Sequence, residues 1–317
     1  MAHNLRGFAD EDIFTTHYRK KCVSSFHTSV LSEVPVLIPS SLYDFINPKQ
    51  FYEPQTFLGK VVFITGASRG IGAETALQYA RAGASVALAA RQQTALDNVK
   101  SSILLAVPNA HVLTYALDVT HAREVENAIS ATVADLGRLD IVIANAGKAG
   151  AWTEPLLNKD PDEWWSVVEV NLRGVFNTLY FSIPHLVKSK GSAVSVTSKA
   201  AQIRLPFASD YCVAKHALGR LVEQIHLEYP EIKIFNLHPG SPPTEMGLGT
   251  NHPIASDPPT DSVELSASTM LYLTAGKADW LVGRYVSANW DLEEVELEWK
   301  DKVVDADALV SKLHIPK

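Results

Sequence analysis

The chain has 317 residues, 46% apolar and 20% charged, a length that fits one large α/β domain or two small ones. Its net charge of -7 argues against a nucleic-acid partner, because a phosphate backbone calls for a basic face. The two cysteines, Cys22 and Cys212, could form one bridge at most, which excludes a disulfide framework and fits a reducing compartment.

The N-terminus, "MAHNLRGFADEDIF", carries early acids and no continuous apolar stretch, so no secretory or mitochondrial signal is expected. No apolar run is long enough to span a bilayer, and the expectation is a cytoplasmic protein without a membrane partner. Residues 1–58 hold Pro35, Pro39, Pro48 and Pro54 among aromatics and serines, and read as an N-terminal extension. Seven short β-branched runs follow, starting at Val61, Ser85, His111, Ile141, Ala193, Lys233 and Arg284. Most are nearly continuous in hydrophobicity, the pattern of strands buried on both faces of a parallel sheet. Helix-length segments such as "GAETALQYARAG" and "DEWWSVVEVNLRGVFNTLYFS" lie between them. The alternation predicts an α/β fold: a doubly wound parallel sheet of about seven strands flanked by helices, a single domain over residues 59–290. Residues 291–317 are charged with apolar residues at helical spacing and predict a helical tail on the surface.

The first strand runs into "TGASRGIGAETAL". Gly66, Gly70 and Gly72 sit where a turn opens a helix. Missing Cβ atoms let backbone approach a pyrophosphate, and a helix N-terminus offers unpaired N–H groups and partial positive charge. A glycine-rich corner can also serve packing alone; the strand before it and the amphipathic run after it favour phosphate binding.

"TGASRGIG", then "NAG" at Asn145 to Gly147, then Ser198, then Tyr211 and Lys215, with "HPG" at His238 to Gly240, resembles the short-chain dehydrogenase/reductase family in its classical form. The similarity covers roughly Gly59 to Trp290. It implies a Rossmann-like fold and a nicotinamide dinucleotide held by Gly66, Ser68, Arg69, Gly70, Ile71, Gly72, Asp118, Val119, Asn145, Ala146, Gly147, Tyr211, Lys215, Pro239, Gly240 and Thr244. At the end of the second strand, an acidic residue would favour NAD(H), whereas arginine accommodates the 2′-phosphate of NADP(H). Here Ala90 stands where NAD-preferring members have aspartate, Arg91 follows, and Arg69 lies in the glycine loop. Two arginines and no carboxylate favour NADP(H) over NAD(H). By resemblance Asp118 contacts the adenine amino group; read alone, it is an N-cap for the next helix. Asn145 corresponds to the family residue that steadies the central strand. Thr244 matches the threonine that bonds the carboxamide or a phosphate, although Pro242 and Pro243 remove two N–H donors from that turn.

Tyr211 and Lys215 are four apart and share a helix face. A free phenol has a pKa of about 10, and a nearby ammonium would lower it. Tyr211 would then exchange a proton with the oxygen of a carbonyl or alcohol substrate. Ser198, at the end of a buried strand, would bond that oxygen; Ser195 and Thr197 compete with it for the role. Lys215 would also hold the nicotinamide ribose. Asn171 resembles the family asparagine of a proton relay, and in isolation reads as a polar residue satisfying helix backbone. Cys212 and His216 lie on other faces, about 100° away per residue, and read as packing and as surface or interface. No histidine and carboxylate group has metal spacing, so no metal is expected.

Residues 245–260 lack periodicity and read as a substrate lid. Lys148, Trp152 and Arg204 to Phe207 are candidate pocket residues, and Trp152 with Phe207 suggests a bulky or aromatic carbonyl compound. Trp164 and Trp165 are adjacent on one helix, so only one can face its core; the family interface there implies a homodimer or homotetramer. The reading reached is an NADPH-dependent carbonyl reductase or alcohol dehydrogenase. The alternatives are a non-redox enzyme and a dinucleotide-sensing protein on the same scaffold; the presence of Asn171, Ser198, Tyr211 and Lys215 together favours catalysis.

Overall fold

The computed structural model describes residues 40–249 and 260–313. Residues 1–39 of the extension with Cys22, residues 250–259 of the expected lid and residues 314–317 of the tail lie outside the described residues. All seven apolar runs form strands: β1 (Val61–Thr65), β2 (Ser85–Ala90), β3 (Val112–Ala116), β4 (Ile141–Ala144), β5 (Ser192–Val196), β6 (Lys233–His238) and β7 (Tyr285–Ser287). They make one sheet in the order β3-β2-β1-β4-β5-β6-β7, and every pairing is parallel. The order reverses between β1 and β4, which opens a crevice beyond the C-terminal ends of those strands.

The continuous hydrophobicity of the strands has a direct cause, since each side of the sheet faces its own core. Val62, Ile64, Leu88, Ile143, Phe235 and Leu237 point to one side. There they meet α1 (Gly70–Arg81), α2 (Gln93–Ala106) and, later in the chain, a helix over Val263–Tyr272. Val61, Phe63, Ala87, Val142, Ala193 and Ile234 point to the other side. They meet α3 (Ala122–Leu136), α5 (Gly174–Ser189) and α6 (Ser209–Glu228), while α4 (Pro161–Val168) packs against α6. Between α4 and α5 the helical path widens into a π-type turn, Glu169–Arg173. The short helix α7 (Glu245–Gly249) follows β6, and the Val263–Tyr272 helix is α8.

Residues before β1 are part of the core. Ile46, Phe51 and Phe57 are buried, and the Phe57 ring meets Tyr79 of α1 edge-on with centroids 5.0 Å apart. The chain after β7 joins the same core through Leu292 and Val295, deeper than a tail lying wholly on the surface. One hydroxyl joins the two segments: Tyr43 donates to the Trp290 carbonyl at 3.1 Å and accepts from the Leu292 N–H at 2.9 Å.

Candidate active site

The glycine loop takes its shape from β4. Gly66 and Gly70 have φ of +67° and +57°, left-handed conformations that a side chain resists. Asn145 Nδ2 donates to the carbonyls of Thr65 at 3.0 Å and Gly66 at 3.2 Å. The N–H groups of Asn145 and Ala146 both donate to the Thr65 hydroxyl at 3.1 Å. A Cβ on Gly72 would come within 2.8 Å of Asn145 Nδ2. The first-turn N–H groups of α1, at Gly70, Ile71 and Gly72, have no acceptor within the helix, and no side chain caps that end. With Ser68 half-buried in the loop, this is a cradle suited to an anion.

The other expected cofactor residues lie at the same edge of the sheet, because every strand is parallel. Arg69 reaches across the loop to α7 and pairs with Glu245 at 3.1 Å, both side chains well exposed. Arg91 follows β2. Asp118 follows β3 and accepts from Thr120 N–H at 2.9 Å and Thr120 Oγ1 at 2.8 Å. Burial works to raise the Asp118 carboxyl, but the two Thr120 hydrogen bonds, with His121 and Arg91 nearby, hold it below its ordinary value. Asp118 is not the cap of the next helix: α3 starts after His121, and Asp118 shapes the turn before it. Val119 is buried, and its carbonyl accepts from Asn177 Nδ2 at 2.8 Å.

After β6, Gly240 has φ of +83°. The adjacent Ser241 N–H donates to Asp261 Oδ2 at 2.5 Å, and the Pro239 carbonyl accepts from Ser266 Oγ. Asp261 thus clamps the "HPG" turn. It lies 20 residues downstream of Ser241, and no local pattern marks it. Thr244 bonds back to the Pro242 carbonyl at 2.7 Å and packs beside Gly70, where an added Cβ would sit 3.1 Å from Thr244 Cγ2. The glycine loop and the start of α7 therefore form two sides of one cleft.

The four expected catalytic residues come together beside it. Ser198 continues β5 in an extended conformation and accepts from the Ala200 N–H at 3.1 Å. Tyr211 lies in the first turn of α6, buried, with Ser198 beside its phenol. Burial pushes the Tyr211 phenol up to about 12, with the Ser198 hydroxyl opposing it. Lys215 is also buried; its Nζ stands 5.6 Å from the Tyr211 ring centroid and donates to the Val196 carbonyl at 2.7 Å. Burial drives the Lys215 amine down to about 7. The expected lowering of the phenol by a lysine charge is therefore not seen here: burial dominates at both groups.

Asn171 sits fully buried in the π-type turn. Its Nδ2 donates to the carbonyls of Lys148 at 2.5 Å and Val167 at 2.8 Å. It satisfies backbone, as its residue type alone suggests. A Cβ on Gly147 would lie 3.0 Å from Asn171 Oδ1 and 3.8 Å from Lys215 Nζ, so the missing side chain lets those two groups converge. Burial pushes the Cys212 thiol up to about 11, which makes it no nucleophile near neutrality, and the His216 ring bonds the Ala201 carbonyl at 2.8 Å. Trp152 lies against Tyr211, ring centroids 5.4 Å apart. Among the described residues no group of three His, Cys, Asp or Glu side chains is arranged for a metal, and no helix is long and apolar enough to cross a membrane. A separate cavity of about 250 Å³ lies along the β7 edge, between Asn236, Glu223, Tyr285 and Leu309. It contains none of Asn171, Ser198, Tyr211 and Lys215.

Comparison with known proteins agrees with this fold. Residues 60–253 match the model of the family described as short chain dehydrogenase. Short chain dehydrogenase mpl6 of Monascus purpureus is 39% identical over 265 residues, covering 80% of this chain and 89% of that protein. An alcohol dehydrogenase from the archaeon Thermococcus sibiricus, solved with 5-hydroxy-NADP, superposes with a TM-score of 0.64 at 29% identity, over 72% of this chain and 95% of that one. Carveol dehydrogenase from Mycobacterium avium, solved with NAD, shares the fold with a TM-score of 0.66 at 23% identity, over 73% and 96% of the two chains.

Proposed function

Because the chain belongs to the short-chain dehydrogenase family, we propose that it is an NADPH-dependent oxidoreductase that reduces a ketone or aldehyde, or oxidises the corresponding alcohol. The observation that carries this reading is the buried Tyr211 phenol, with Ser198 beside it and Lys215 one helical turn away, next to the glycine cradle. When bound, the dinucleotide supplies hydride from its nicotinamide. Ser198 and Tyr211 hold the substrate oxygen by hydrogen bonds, and Tyr211 gives it a proton as hydride reaches the carbon. Lys215 would hold the ribose of the bound dinucleotide, and Asn171 would help carry the relay through which the phenol regains its proton. A phenol that burial keeps protonated is suited to the acid role in reduction.

The cofactor preference is argued from Ala90, Arg91 and Arg69: the end of β2 carries no carboxylate for a ribose hydroxyl, and two arginines are candidates to meet a 2′-phosphate. The cofactor site comprises Gly66 to Gly72, Arg91, Asp118, Val119, Asn145 to Gly147, Pro239, Gly240 and Thr244. Residues 59–290 form the catalytic unit, with 1–58 as an extension and 291–317 as a tail. The outer faces of α5 and α6 expose Phe176, Tyr180 and Val213, with Phe176 and Tyr180 stacked at 5.5 Å, which suits pairing of two copies as a homodimer or within a homotetramer. Two cysteines, too few for a disulfide framework, fit a cytoplasmic location.

The test is turnover of a carbonyl panel followed by NADPH absorbance, with Tyr211→Phe alongside. Loss of turnover in the variant, with NADPH binding kept, supports the assignment. Turnover that survives the substitution refutes it.

A further inference from the structure

The segment between β4 and α4 has almost no regular structure, yet it carries Trp152 against the ring of Tyr211, the two planes tilted by 50°. It is tied down at both ends by buried groups. At its start, the Lys148 carbonyl and N–H are both bonded by the Asn171 amide, at 2.5 and 3.3 Å. At its end, Lys159 pairs with Asp210 at 3.0 Å, with only 10% and 4% of the two side chains exposed. Asp210 immediately precedes Tyr211, and its second oxygen accepts the Tyr211 N–H at 2.9 Å. Gly150 passes close to the same carboxylate, leaving an added Cβ only 3.7 Å from Asp210 Oδ2. Trp164 closes the arrangement by donating to Ser209 Oγ at 3.0 Å.

Such a pair is poorly explained as a source of stability. Desolvating two charges offsets most of their attraction, whereas removing one partner strands the other. What a buried pair does well is fix a position. Here it fixes the strap at the first turn of α6, so Trp152 and Tyr211 are held relative to each other. Ala149 and Leu205 belong to the same apolar wall, which sets the Trp152 indole beside Tyr211.

We propose that the Lys159–Asp210 pair holds Trp152 as a stacking wall over Tyr211, and that this wall selects planar conjugated carbonyl substrates over saturated ones of equal size. Lys159 and Asp210 are positioning residues; Trp152 is the residue that discriminates. This rests on Tyr211 being the proton donor of the reading above. Offset stacking on an indole favours the planar substrate by about tenfold over an equally apolar, puckered one.

The test uses 2-naphthaldehyde and decahydro-2-naphthaldehyde for turnover, and the corresponding unreactive carboxamides for binding to the full chain with NADP⁺. The native protein is expected to bind 2-naphthamide about tenfold more tightly than its saturated counterpart. Trp152→Leu, which keeps apolar bulk, removes that ratio. Asp210→Asn and Lys159→Met reduce it, and Lys159→Arg restores it, a pattern that a merely structural loss would not produce. Equal affinity for the two amides in the native protein, or a ratio that survives Trp152→Leu, overturns the proposal. A selective ratio without any redox turnover upholds the wall and refutes the oxidoreductase reading instead, so the two failures are separable.

Discussion

Lys215 faces the ring of Tyr211 at 5.6 Å, but its hydrogen bond goes elsewhere, to the carbonyl of Val196 at 2.7 Å. The two residues share a buried site that neither charged form favours. Burial moves the amine down to about 7 and the phenol up to about 12.

The lysine makes ligand-free stability depend on pH. Its folded pKa of about 7 lies below the ordinary value of 10.5. Between these values the unfolded chain holds a proton that the folded chain does not, so stability from this group rises with pH across that window. The full deficit is present below about pH 7 and is gone above about 10.5. Lys215→Met should therefore unfold at higher urea than the native protein at pH 7, by up to a few kcal/mol, with the gap closing toward pH 10. An offset independent of pH would show that the amine is not the source.

The serine makes activity depend on pH in the opposite sense from burial. Ser198→Ala removes the hydroxyl that works to hold the Tyr211 phenol down. The alkaline limb of kcat/KM for carbonyl reduction should move to higher pH, with a rate loss smaller than that of Tyr211→Phe. For Tyr211→Phe the expected loss is about 10²–10⁴-fold. A limb that stays in place in Ser198→Ala would separate it from the ionisation of Tyr211.

Arg69 is engaged by Glu245 across the cleft. Glu245→Gln releases the guanidinium for a 2′-phosphate. Binding of NADPH should tighten by roughly two- to fivefold, a modest gain because the pair is exposed, while NADH binding stays unchanged. Parallel titrations with the two dinucleotides check this. Equal gains for both would place Arg69 away from the phosphate.

Asp261 anchors the Gly240–Ser241 turn from 20 residues downstream. Asp261→Ala leaves the Ser241 N–H without its acceptor and should cost about 1–3 kcal/mol of stability. NADPH affinity should fall with it, since Pro239 and Gly240 lose their support. Asp261→Asn, which keeps an acceptor, should recover most of both in thermal unfolding and in NADPH titration.

The strands were readable because a parallel sheet buries both faces, so each appears as an unbroken apolar run; "VVFIT" became β1 with every residue buried. The pairing of Tyr211 with Lys215 was readable because helical spacing is local. What stayed hidden depends on distant residues. Thr65 and Asn145 meet across 80 positions, Lys159 and Asp210 across 51. Neither contact leaves a periodic trace in composition. The π-type turn at Glu169–Arg173 was hidden too, because one widened turn barely disturbs the helical rhythm around it. Nor could sequence reveal that burial would dominate at both Tyr211 and Lys215, because that depends on how much protein surrounds the two groups.

Tyr43 holds Trp290 and Leu292, and Phe51 and Phe57 share a core with Leu292 and Val295. The matched family region, 60–253, contains none of these residues. A fragment excised at those limits would lack β7 and leave β6 as a bare sheet edge, with the pocket around Tyr79 open to water. Such an edge recruits strands from other molecules. The recognisable signature is thus shorter than the stretch that builds the core, and the chain on either side of it closes that core like a clasp.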